Sequence, residues 1–553
     1  MRSTEFVGTV LGPIHGLYVC SFGISGLNVG GLMSKHFPGR KLSWIRLSVL
    51  LAVIAVVAGA GVVSWRNYTD TRAAAASPSL FAGYVDVTAT PRYAFEQPVS
   101  DNAKSVVLSF IVADSKDGCT PSWGSFYSMD AAASDLDLDR RIARLRQTGG
   151  DIAVSFGGLS NKELATACTD DDRLQQAYSR VVERYDLNTI DLDIEGTALT
   201  DKAAIARQAK AIVAVQQGRR AEGKNLSVWL TLPVAPAGLT ADGMAAVEQM
   251  LSSGVELAGV NIMTMDYGES RVAGQSMLQA SIAAAEATHS QLGEIYSAAQ
   301  QNLGAQTLWR KIGLTPMIGQ NDIVADVFTL ADAQGLHDFA QGKGIGRMSM
   351  WSLNRDAECG PNYPTLTVVS DACSGVPQRD TRFSDVLGAD IDSKPTDSPT
   401  PVLPTGTTTA TPVVDDPATS PYPIWSPVAT YVQSDRIVWQ GNVYEAKWWT
   451  KDDVPNDPVP DRAAAPWKLI GPVLPGDRPK PEVTVPAGTY PVWSATAVYH
   501  KGDRVMLGQY VFEAKWWVQT QSPEAALQGS TDSAWMKLSH EELTKALSSQ
   551  AAK

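Results

Sequence analysis

Residues 189–196 read Thr-Ile-Asp-Leu-Asp-Ile-Glu-Gly. In a β-strand the side chains at i, i+2 and i+4 share one face, so Asp191, Asp193 and Glu195 point one way and the aliphatic residues between them point the other. Acids on a buried face are costly unless they are hydrogen-bonded, and closely spaced like charges raise at least one pKa. The stretch therefore predicts a buried strand with a carboxyl group that stays protonated and can serve as an acid.

This strand is one of eight short apolar strands that are predicted between Phe81 and about Asp390, where they alternate with amphipathic helical segments. They cover residues 81–87, 106–114, 151–158, 189–196, 226–234, 259–268, 311–319 and 346–353. Residues 137–150 and 200–223 carry the apolar spacing of outer helices. No GxGxxG turn follows the first strand, as an open dinucleotide-binding sheet would require. The pattern therefore indicates an α/β fold, a closed (β/α)8 TIM barrel over residues 80–391.

Glu195 lies at the end of its strand, directly before Gly196. Barrel enzymes place their chemistry at the C-terminal ends of the strands, which makes Glu195 the candidate general acid. The alternative is an edge strand with solvated acids, but the aliphatic residues Leu192 and Ile194 argue for a buried strand.

The acid row Asp191-x-Asp193-x-Glu195 resembles the DxxDxDxE signature of glycoside hydrolase family 18. Residues 155–158 (Ser-Phe-Gly-Gly) are similar to the SxGG motif of that family, and residues 263–267 (Met-Thr-Met-Asp-Tyr) resemble its MxYD motif. The three motifs follow the family's order on strands three, four and six, which argues against a chance match.

Three further positions bear on the resemblance. Trp351, late on strand eight, matches the tryptophan that forms the floor under the bound sugar in the family. Residues 188–189 are Asn-Thr where the family often has Asp-Gly, so the first acid of the signature is absent, and we expect its loss to be tolerated. The tyrosine of MxYD is displaced by Met265, which leaves Asp266 and Tyr267 as candidates for contact with the acetamide of the sugar.

The resemblance implies a chitinase, which hydrolyses β-1,4 bonds between N-acetylglucosamine units with retention and without a protein nucleophile. Glu195 would protonate the glycosidic oxygen while the 2-acetamido carbonyl of the sugar attacks C1, and would then act as base toward water. Asp193 would orient the acetamide, and Asp191 would share a proton with Asp193 and tune its pKa. No cofactor and no metal is expected.

The resemblance also implies a set of residues around the sugar. The candidate substrate-binding residues are Tyr84, Ser155, Gly157, Met265, Asp266, Tyr267, Asp322 and Trp351. For Tyr84 and Asp322, barrel packing or a loop cap is an equal alternative. Trp123 either extends the cleft or anchors its own loop.

The C-terminal part contains one small module twice: residues 422–467 recur 68 positions later, with YEAKWW matched by FEAKWW. A module this small has little interior, so part of its many aromatic rings must stay exposed. Trp448 and Trp449 are adjacent, and on a strand they would point to opposite faces, so at most one can enter the core. The sequence therefore predicts an exposed aromatic row, which suits the flat face of a β-linked sugar chain.

The AKWW repeats are similar to carbohydrate-binding module families 5 and 12, which implies two small all-β modules with chitin as the ligand. The candidate chitin-binding residues are Tyr444, Trp448, Trp449, Phe512, Trp516 and Trp517. Residues 392–420, rich in Pro and Thr, indicate an extended linker. The remaining boundaries are 421–472 for the first module, 473–488 for a second linker, 489–540 for the second module and 541–553 for a tail.

An uncharged apolar run at residues 47–65 is about as long as a bilayer is thick. Basic residues precede it within residues 1–46, and a spacer at 66–79 leads to a polar body, so the positive-inside rule places the barrel outside the cell. We expect a transmembrane or signal-anchor segment that contacts the membrane, cleaved or retained, and an extracellular catalytic domain. Met33 is an alternative start.

Four of the five cysteines follow the apolar run. Their spacing lacks the paired CxxC of zinc sites, and an even number in an exported protein suggests disulfides. We predict the pairs Cys119–Cys168 and Cys359–Cys373, with free buried thiols as the alternative.

The formal net charge of −12 leaves no basic stripe for a polyphosphate, so a nucleic-acid partner is excluded. We expect a monomer that binds chitin and chitooligosaccharides. A chitin-binding lectin and an endo-β-N-acetylglucosaminidase with the same barrel are alternatives. The acid at Glu195 argues against the first, and the tandem modules argue against the second.

Overall fold

The computed structural model describes residues 44–75, 79–363, 365–391, 414–457, 464–479, 485–486, 488–508, 510–527, 533–538, 542–543 and 547. The expectations for residues 1–43, including the start at Met33, lie outside the described residues, as do most of the linker 392–420 and of the tail 541–553. The chain divides into two compact units, Met1–Trp65 and Arg66–Lys553.

The apolar run lies in a helix, α1, which extends from Trp44 to Ala75 and so continues past the run. Within the part of the chain that the structure describes, no helix is long and apolar enough to cross a membrane. The membrane segment predicted at residues 47–65 is therefore not found.

Eight parallel strands form a closed barrel, which confirms the predicted fold class. The strands of the barrel and of its hairpins are β1 Leu80–Phe81, β2 Gly83–Asp86, β3 Ser105–Ala113, β4 Pro121–Trp123, β5 Tyr127–Ser128, β6 Asp151–Gly157, β7 Thr189–Asp193, β8 Ser227–Ala235, β9 Gly238–Leu239, β10 Leu257–Met263, β11 Ile312–Thr315, β12 Gly319–Gln320, β13 Val327–Phe328 and β14 Arg347–Met348. The first barrel strand is interrupted at Ala82, so that β1 pairs with β14 and β2 pairs with β3. The order from there is β3, β6, β7, β8, β10, β11 and β14, and the sheet closes on itself.

Several predicted strands end earlier than expected, among them β10 and β14. Residues 264–268 and 349–353 leave the sheet beyond β10 and β14, and both segments carry candidate site residues. Irregular backbone at the C-terminal ends of barrel strands is where side chains can converge on a ligand without the two-residue period of a strand.

Helices surround the barrel. They are α2 Met129–Asp135, α3 Leu138–Gln147, α4 Leu164–Ala167, α5 Asp171–Arg184, α6 Lys202–Ala221, α7 Ala241–Ser252, α8 Met277–Ala298, α9 Ala305–Arg310, α10 Leu330–Lys343 and α11 Phe383–Leu387. Several begin with a side-chain cap, such as the capping box of Ser276 and Gln279 at α8. Helices α3 and α6 coincide with the two predicted helical segments. Between β2 and β3 the described residues form only a short 3-10 turn, Asp101–Lys104, in place of a barrel helix.

Both predicted disulfides are present in the structure, Cys119–Cys168 and Cys359–Cys373. The first joins the loop after β3 to the end of α4. The second lies in the loop after β14. Each disulfide therefore ties together chain at the face of the barrel where the strands end.

The two modules have the same topology, as the repeat predicts. The first consists of β15 Thr430–Tyr431, β16 Arg436–Trp439, β17 Asn442–Ala446, β18 Thr450–Lys451 and β19 Trp467–Pro472; the second consists of β20 Val498–Tyr499, β21 Arg504–Leu507, β22 Tyr510–Ala514, β23 Val518–Gln519, α12 Glu524–Leu527 and β24 Trp535–Lys537. In each module one antiparallel sheet has three strands and another has two. The core of each is a T-shaped pair of rings, Tyr431 with Trp467 and Tyr499 with Trp535.

The first module is packed against helix α3 of the barrel through charged side chains. Asp137, which precedes α3, pairs with Arg436 at 2.6 Å and accepts a hydrogen bond from the Tyr422 hydroxyl at 3.0 Å. Arg140 pairs with Asp477 at 2.9 Å. The side chains of Asp137 and Arg140 are only 2% and 5% exposed. Buried ion pairs therefore hold this module on the barrel.

Candidate active site

The acid row of β7 lies on the inner face of the barrel. Asp191 and Asp193 are 0% and 4% exposed, and Glu195, just beyond the end of the strand, is half-buried. The aliphatic residues that alternate with them are buried in the core between the sheet and the helices. The alternation predicted for residues 189–196 is confirmed.

Asp191 accepts four hydrogen bonds. Its Oδ2 accepts from the hydroxyls of Tyr84 at 2.8 Å and Ser155 at 2.7 Å. Its Oδ1 accepts from the Thr231 hydroxyl at 2.7 Å and from Arg347 Nη1 at 2.8 Å. Every lone pair that a carboxylate offers in its plane is thereby used. Tyr84 and Ser155, predicted to contact substrate, instead support the deepest acid of the row.

A second layer of polar side chains continues this network across the barrel. Asn261 Nδ2 donates to the Thr231 hydroxyl at 3.0 Å and to the Tyr84 hydroxyl at 3.3 Å, and the Thr315 hydroxyl donates to Asn261 Oδ1 at 2.8 Å. The sequence analysis did not single out Thr231, Asn261, Thr315 or Arg347. Each is a polar residue on a predicted strand of apolar character, and the same two-residue period that placed the acids would have placed these residues inward.

Asp193 is the acid of the row that lacks such partners. Its Oδ1 is buried without a hydrogen-bond partner among the described residues. Burial, followed by the charges of Glu195 and Asp191, raises the pKa of Asp193 well above its usual range, against a smaller opposing effect of Arg347. Burial without a hydrogen-bond partner therefore favours the protonated form of Asp193 over the carboxylate.

Glu195 is poised for proton transfer near neutral pH. Burial raises the pKa of Glu195 to about 7, the backbone amide of Leu159 lowers it, and the charge of Asp266 raises it further. A general acid and base works best when its pKa lies near the operating pH. Glu195 has the position and the pKa that this role requires.

The structure separates the two candidates of the MxYD-like segment. Tyr267 is 5% exposed, belongs to the core between the sheet and the helices, and has its hydroxyl 3.4 Å from the Ser281 hydroxyl of α8. Burial raises the pKa of the Tyr267 hydroxyl above its usual range. The backbone of Asp266 adopts a positive φ of 48°, so the two side chains do not follow strand alternation. Tyr267 is thus a packing residue, and the prediction that it binds substrate is not supported by its position.

Asp266, by contrast, faces the acid row, as its electrostatic effect on Glu195 indicates. Its Oδ1 accepts a hydrogen bond from the backbone amide of Ile323 at 3.0 Å. Burial and then the charge of Asp322 are the main causes that raise the pKa of Asp266. Asp322 itself is exposed and Met265 is half-buried. Asp322 therefore acts on the site through its charge on Asp266.

Trp351 lies at the end of the eighth strand, as predicted, and is half-buried. Its ring is stacked on that of Phe110, with centroids 5.5 Å apart and planes inclined by 24°, and its centroid is 6.0 Å from that of Tyr84. The ring is held from one side and keeps exposed surface. Trp123, in contrast, is fully buried and donates a hydrogen bond to the Tyr185 hydroxyl at 3.0 Å, so it anchors its loop.

The first glycine of the SxGG motif has a backbone role. Gly157 pairs with Asp193 in the parallel register, and a Cβ at Gly157 would lie 2.0 Å from the carbonyl oxygen of Asp193. Its φ is +106°, which L-residues rarely adopt. The next residue, Gly158, donates its amide to the same carbonyl at 3.1 Å. The motif therefore brings β6 close enough to hold the acid row in place, and a contact of Gly157 with substrate is not needed to explain it.

The paired tryptophans of the modules lie in the turns that follow β17 and β22, not on strands. Trp448, Trp449, Trp516 and Trp517 are all among the exposed apolar residues, at 39% to 57%. Both members of each pair are exposed because a turn does not send neighbouring side chains to opposite faces. Among the described residues, no group of three or more His, Cys, Asp or Glu side chains could hold a metal ion.

Tyr444 and Phe512, predicted to contact chitin, are 7% and 0% exposed and belong to the cores of the two modules. Both lie on the central strand of a three-stranded sheet, with the side chain on the face that packs against the ring pair. That prediction is wrong, because a central strand of so small a module supplies its interior.

The barrel is similar in sequence to proteins named as chitinases. No protein-family model matches the chain. It is 36% identical over 315 residues to a probable bifunctional chitinase/lysozyme of Escherichia coli (strain K12), covering 54% of this chain and 34% of that protein. It is 35% identical over 308 residues to endochitinase 11 of Metarhizium anisopliae, covering 53% and 57%. A solved structure of active domain 2 of a chitinase from Pyrococcus furiosus is 30% identical, covers 56% of this chain and 93% of that one, and has a TM-score of 0.48.

The chain spans between a third and just over half of the length of the two protein relatives that it matches. Both aligned stretches are close to the barrel in length, and both relatives are chitinases by name. The acid row of β7, the SxGG motif of β6 and the tryptophan after β14 all occupy the positions that the sequence resemblance assigns to them. Over the length of its barrel, this chain is therefore similar in sequence to chitinases.

Proposed function

We propose that the protein is a chitinase that hydrolyses β-1,4 bonds between N-acetylglucosamine units with retention of configuration, by substrate-assisted catalysis. The observation that carries the proposal is the contrast between two neighbouring acids. Asp193 is buried, has a raised pKa and has an oxygen without a partner among the described residues, whereas Glu195 at the mouth of the barrel has a pKa of about 7.

In the proposed reaction, Glu195 and Asp193 have different tasks. Glu195 donates its proton to the glycosidic oxygen as the bond from C1 to that oxygen breaks, and the acetamide carbonyl oxygen of the same sugar forms a bond to C1. The product is an oxazolinium ion. Water then attacks C1 while Glu195, now a carboxylate, accepts the proton of the water. Two displacements at C1 retain the configuration, and Glu195 returns to its starting state.

Asp193 would bind and orient the acetamide of the sugar. Its unpartnered Oδ1 is free to accept the acetamide N–H, which orients the carbonyl toward C1 and offsets the positive charge of the oxazolinium ion. No other protein carboxylate is then needed as nucleophile. We assign the second acetamide contact to Asp266, because Tyr267 is directed into the core.

Trp351 would form the floor of the cleft, because its ring is braced by Phe110 and retains exposed surface. A sugar has an apolar C–H face that can lie on such a ring. The exposed tryptophan pairs of the modules would bind chitin chains in the same manner. They would hold the enzyme on an insoluble surface without taking part in the chemistry.

We further infer an extracellular site of action. Two disulfides in the barrel suit an oxidising compartment, and insoluble chitin is met outside the cell. A lectin with the same barrel is the competing function, but a lectin has no use for an acid with a pKa near 7 at the mouth of the barrel.

The test is product analysis on colloidal chitin with the intact protein and Glu195→Gln. Glu195→Gln should lose at least about 10³-fold in kcat, since general acid and base catalysis contributes about 10²–10⁴-fold per group. Glu248→Gln, an exposed residue on α7, is the matched control and should keep full activity. An inactive parent that still sediments with chitin would instead establish a lectin.

Substrate assistance is tested with fully deacetylated chitosan of matched chain length. This polymer lacks the acetamide and so cannot form the oxazolinium ion, and we expect no hydrolysis. Hydrolysis of chitosan at the rate of chitin would rule out the acetamide as nucleophile.

A further inference from the structure

Arg347 is a buried cation in the wall of the barrel that the reaction described above does not use. It lies at the start of β14, is 2% exposed, and has its guanidinium 5.4 Å from the ring centre of Tyr84 and 5.5 Å from that of Trp229. Only one of its nitrogens, Nη1, makes a hydrogen bond, to Asp191 at 2.8 Å; Nε and Nη2 have no partner among the described residues. A buried charge is costly unless paired, so the charge of Arg347 requires an anion at Asp191.

The coordination of Asp191 leads to the same requirement. The donors to its two oxygens are Thr231 and Arg347 on Oδ1 and Tyr84 and Ser155 on Oδ2. A proton on either oxygen would have to displace one of these donors and would leave the guanidinium without a counterion. Asp191 therefore has no room for the proton that the family resemblance led us to expect it to share with Asp193.

The groups that face Asp191 are few. Tyr84 from β2 and Arg347 from β14 are the titratable or charged groups of the other described strands, and Asp193 is the next acid on β7 itself. Ser155 and Thr231 on the neighbouring strands are uncharged. No second cation pairs with Asp191 among the described residues, so its charge depends on Arg347.

We propose that Arg347 is a positioning residue that holds Asp191 as a permanent carboxylate. Only Asp193 and Glu195 of the acid row then take up and release protons. The proposal rests on the proposed function for its catalytic meaning. Its consequence is a division between a fixed anion at the bottom of the row and two acids above it that exchange protons with each other and with the substrate.

The test compares Arg347→Met with Arg347→Lys in the full chain. In Arg347→Met, Asp191 loses its counterion and takes up a proton at a higher pH, so the acidic limb of kcat/KM on a soluble chitooligosaccharide should move up by at least about one pH unit. KM should change little, because Arg347 does not touch the cleft. Arg347→Lys retains the charge and should restore the position of the acidic limb even if kcat is lower. An unchanged acidic limb in Arg347→Met would reduce Arg347 to a packing residue and overturn the proposal.

A measurement independent of activity separates this proposal from the proposed function. In Arg347→Met a protonated Asp191 is favoured by folding, so the unfolding temperature of this variant relative to the parent should fall as the pH rises from about 4 to 7. If the parent does not hydrolyse chitin, the proposed function fails while this comparison still decides the charge of Asp191. A pH-independent difference in unfolding temperature would contradict the proposal.

A double variant tests the proposal even if Arg347→Met does not fold. The double variant Arg347→Met with Asp191→Asn contains neither buried charge, and replacement of both members of a buried ion pair is tolerated far better than replacement of one. Recovery of a folded double variant would support the pairing of the two charges. A double variant as unfolded as the single one would overturn it.

Discussion

The acid row of the barrel and the tryptophan pairs of the modules differ in their exposure to solvent. Asp191 and Asp193 are buried in the interior of the barrel, where four hydrogen bonds fix the carboxylate of Asp191 and burial raises the pKa of Asp193. Trp448 and Trp449 are placed for work because they are exposed, in a turn that leaves both rings open to a surface. In the function that we propose, chemistry therefore belongs to the core of the barrel, while attachment to chitin belongs to exposed turns of the modules. Changes in the two regions should therefore be separable.

The strongest test of that separation is Asp193→Asn. The amide can carry no negative charge and cannot exchange a proton with Glu195, so kcat should fall by about 10²–10³-fold, as for loss of a group that stabilises a transition state. Sedimentation with crystalline chitin should be unchanged. Asp338→Asn, an exposed residue on α10, is the control for the chemical change. Equal loss of activity and sedimentation would mean that the two regions do not act separately.

The next largest effect is expected from Gly157→Ala, which tests whether the acid row depends on the core that holds it. The added methyl would overlap the Asp193 carbonyl, and the positive φ adds strain, so the free energy of unfolding should fall by at least about 2 kcal/mol. Gly218→Ala, in α6 with open space around it, should be neutral or slightly stabilising. Thermal unfolding of the two variants measures the difference. Equal stability of both would show that β6 and β7 can separate without cost.

The reverse experiment removes the exposed rings. Replacement of Trp448, Trp449, Trp516 and Trp517 by alanine should weaken binding to crystalline chitin by roughly tenfold or more, about 1.4 kcal/mol. The unfolding temperature should stay within a few degrees of the parent, since exposed side chains contribute little to stability. Activity on a soluble chitooligosaccharide should be retained. Val428→Ala, an exposed residue of the first module, is the control. A matched loss on soluble substrate would assign these rings to the cleft.

The smallest expected effect concerns the charge beside Glu195. Glu195 must be protonated to act as acid, so kcat/KM should fall by about tenfold per pH unit above its pKa of about 7, which forms the basic limb of the profile. Asp266→Asn removes a charge that raises this pKa, so the basic limb should move to lower pH by a fraction of a unit. Asp322→Asn, whose charge acts on Asp266, should leave the limb in place. A basic limb that does not respond to Asp266→Asn would contradict their electrostatic coupling.

The barrel and its acids could be predicted from the sequence because strand alternation is a local rule. Once residues 189–196 are a strand, the direction of Asp191 and Asp193 is settled without knowledge of any other part of the chain. The two disulfides could be predicted for a similar reason, since only four cysteines follow the apolar run and their spacing made one pairing natural.

The predictions failed where the direction of a side chain depends on more than the alternation along its own strand. Tyr267 follows a residue with positive φ, which redirects it into the core, and no residue type marks that change in the sequence. Trp448 and Trp449 lie in a turn, so the argument from opposite strand faces does not apply. Tyr444 was expected at the surface because the module has many rings, but which of them form the interior depends on strand order. The role of Arg347 depends on which strands become neighbours when the barrel closes.

The ion pairs between helix α3 and the first module have a consequence for ionic strength. Mobile ions screen exposed charges over about 8 Å at physiological salt but reach buried pairs poorly. Asp137 and Arg140, almost fully buried, should hold the first module in place from dilute buffer to sea-water salt. Lys537 and Asp435, which join the second module to the first at 3.1 Å, are 18% and 29% exposed and should be weakened by the same change. Salt would then release the second module and leave the first fixed on helix α3, so that the reach of the proposed enzyme over a chitin surface would vary with its medium.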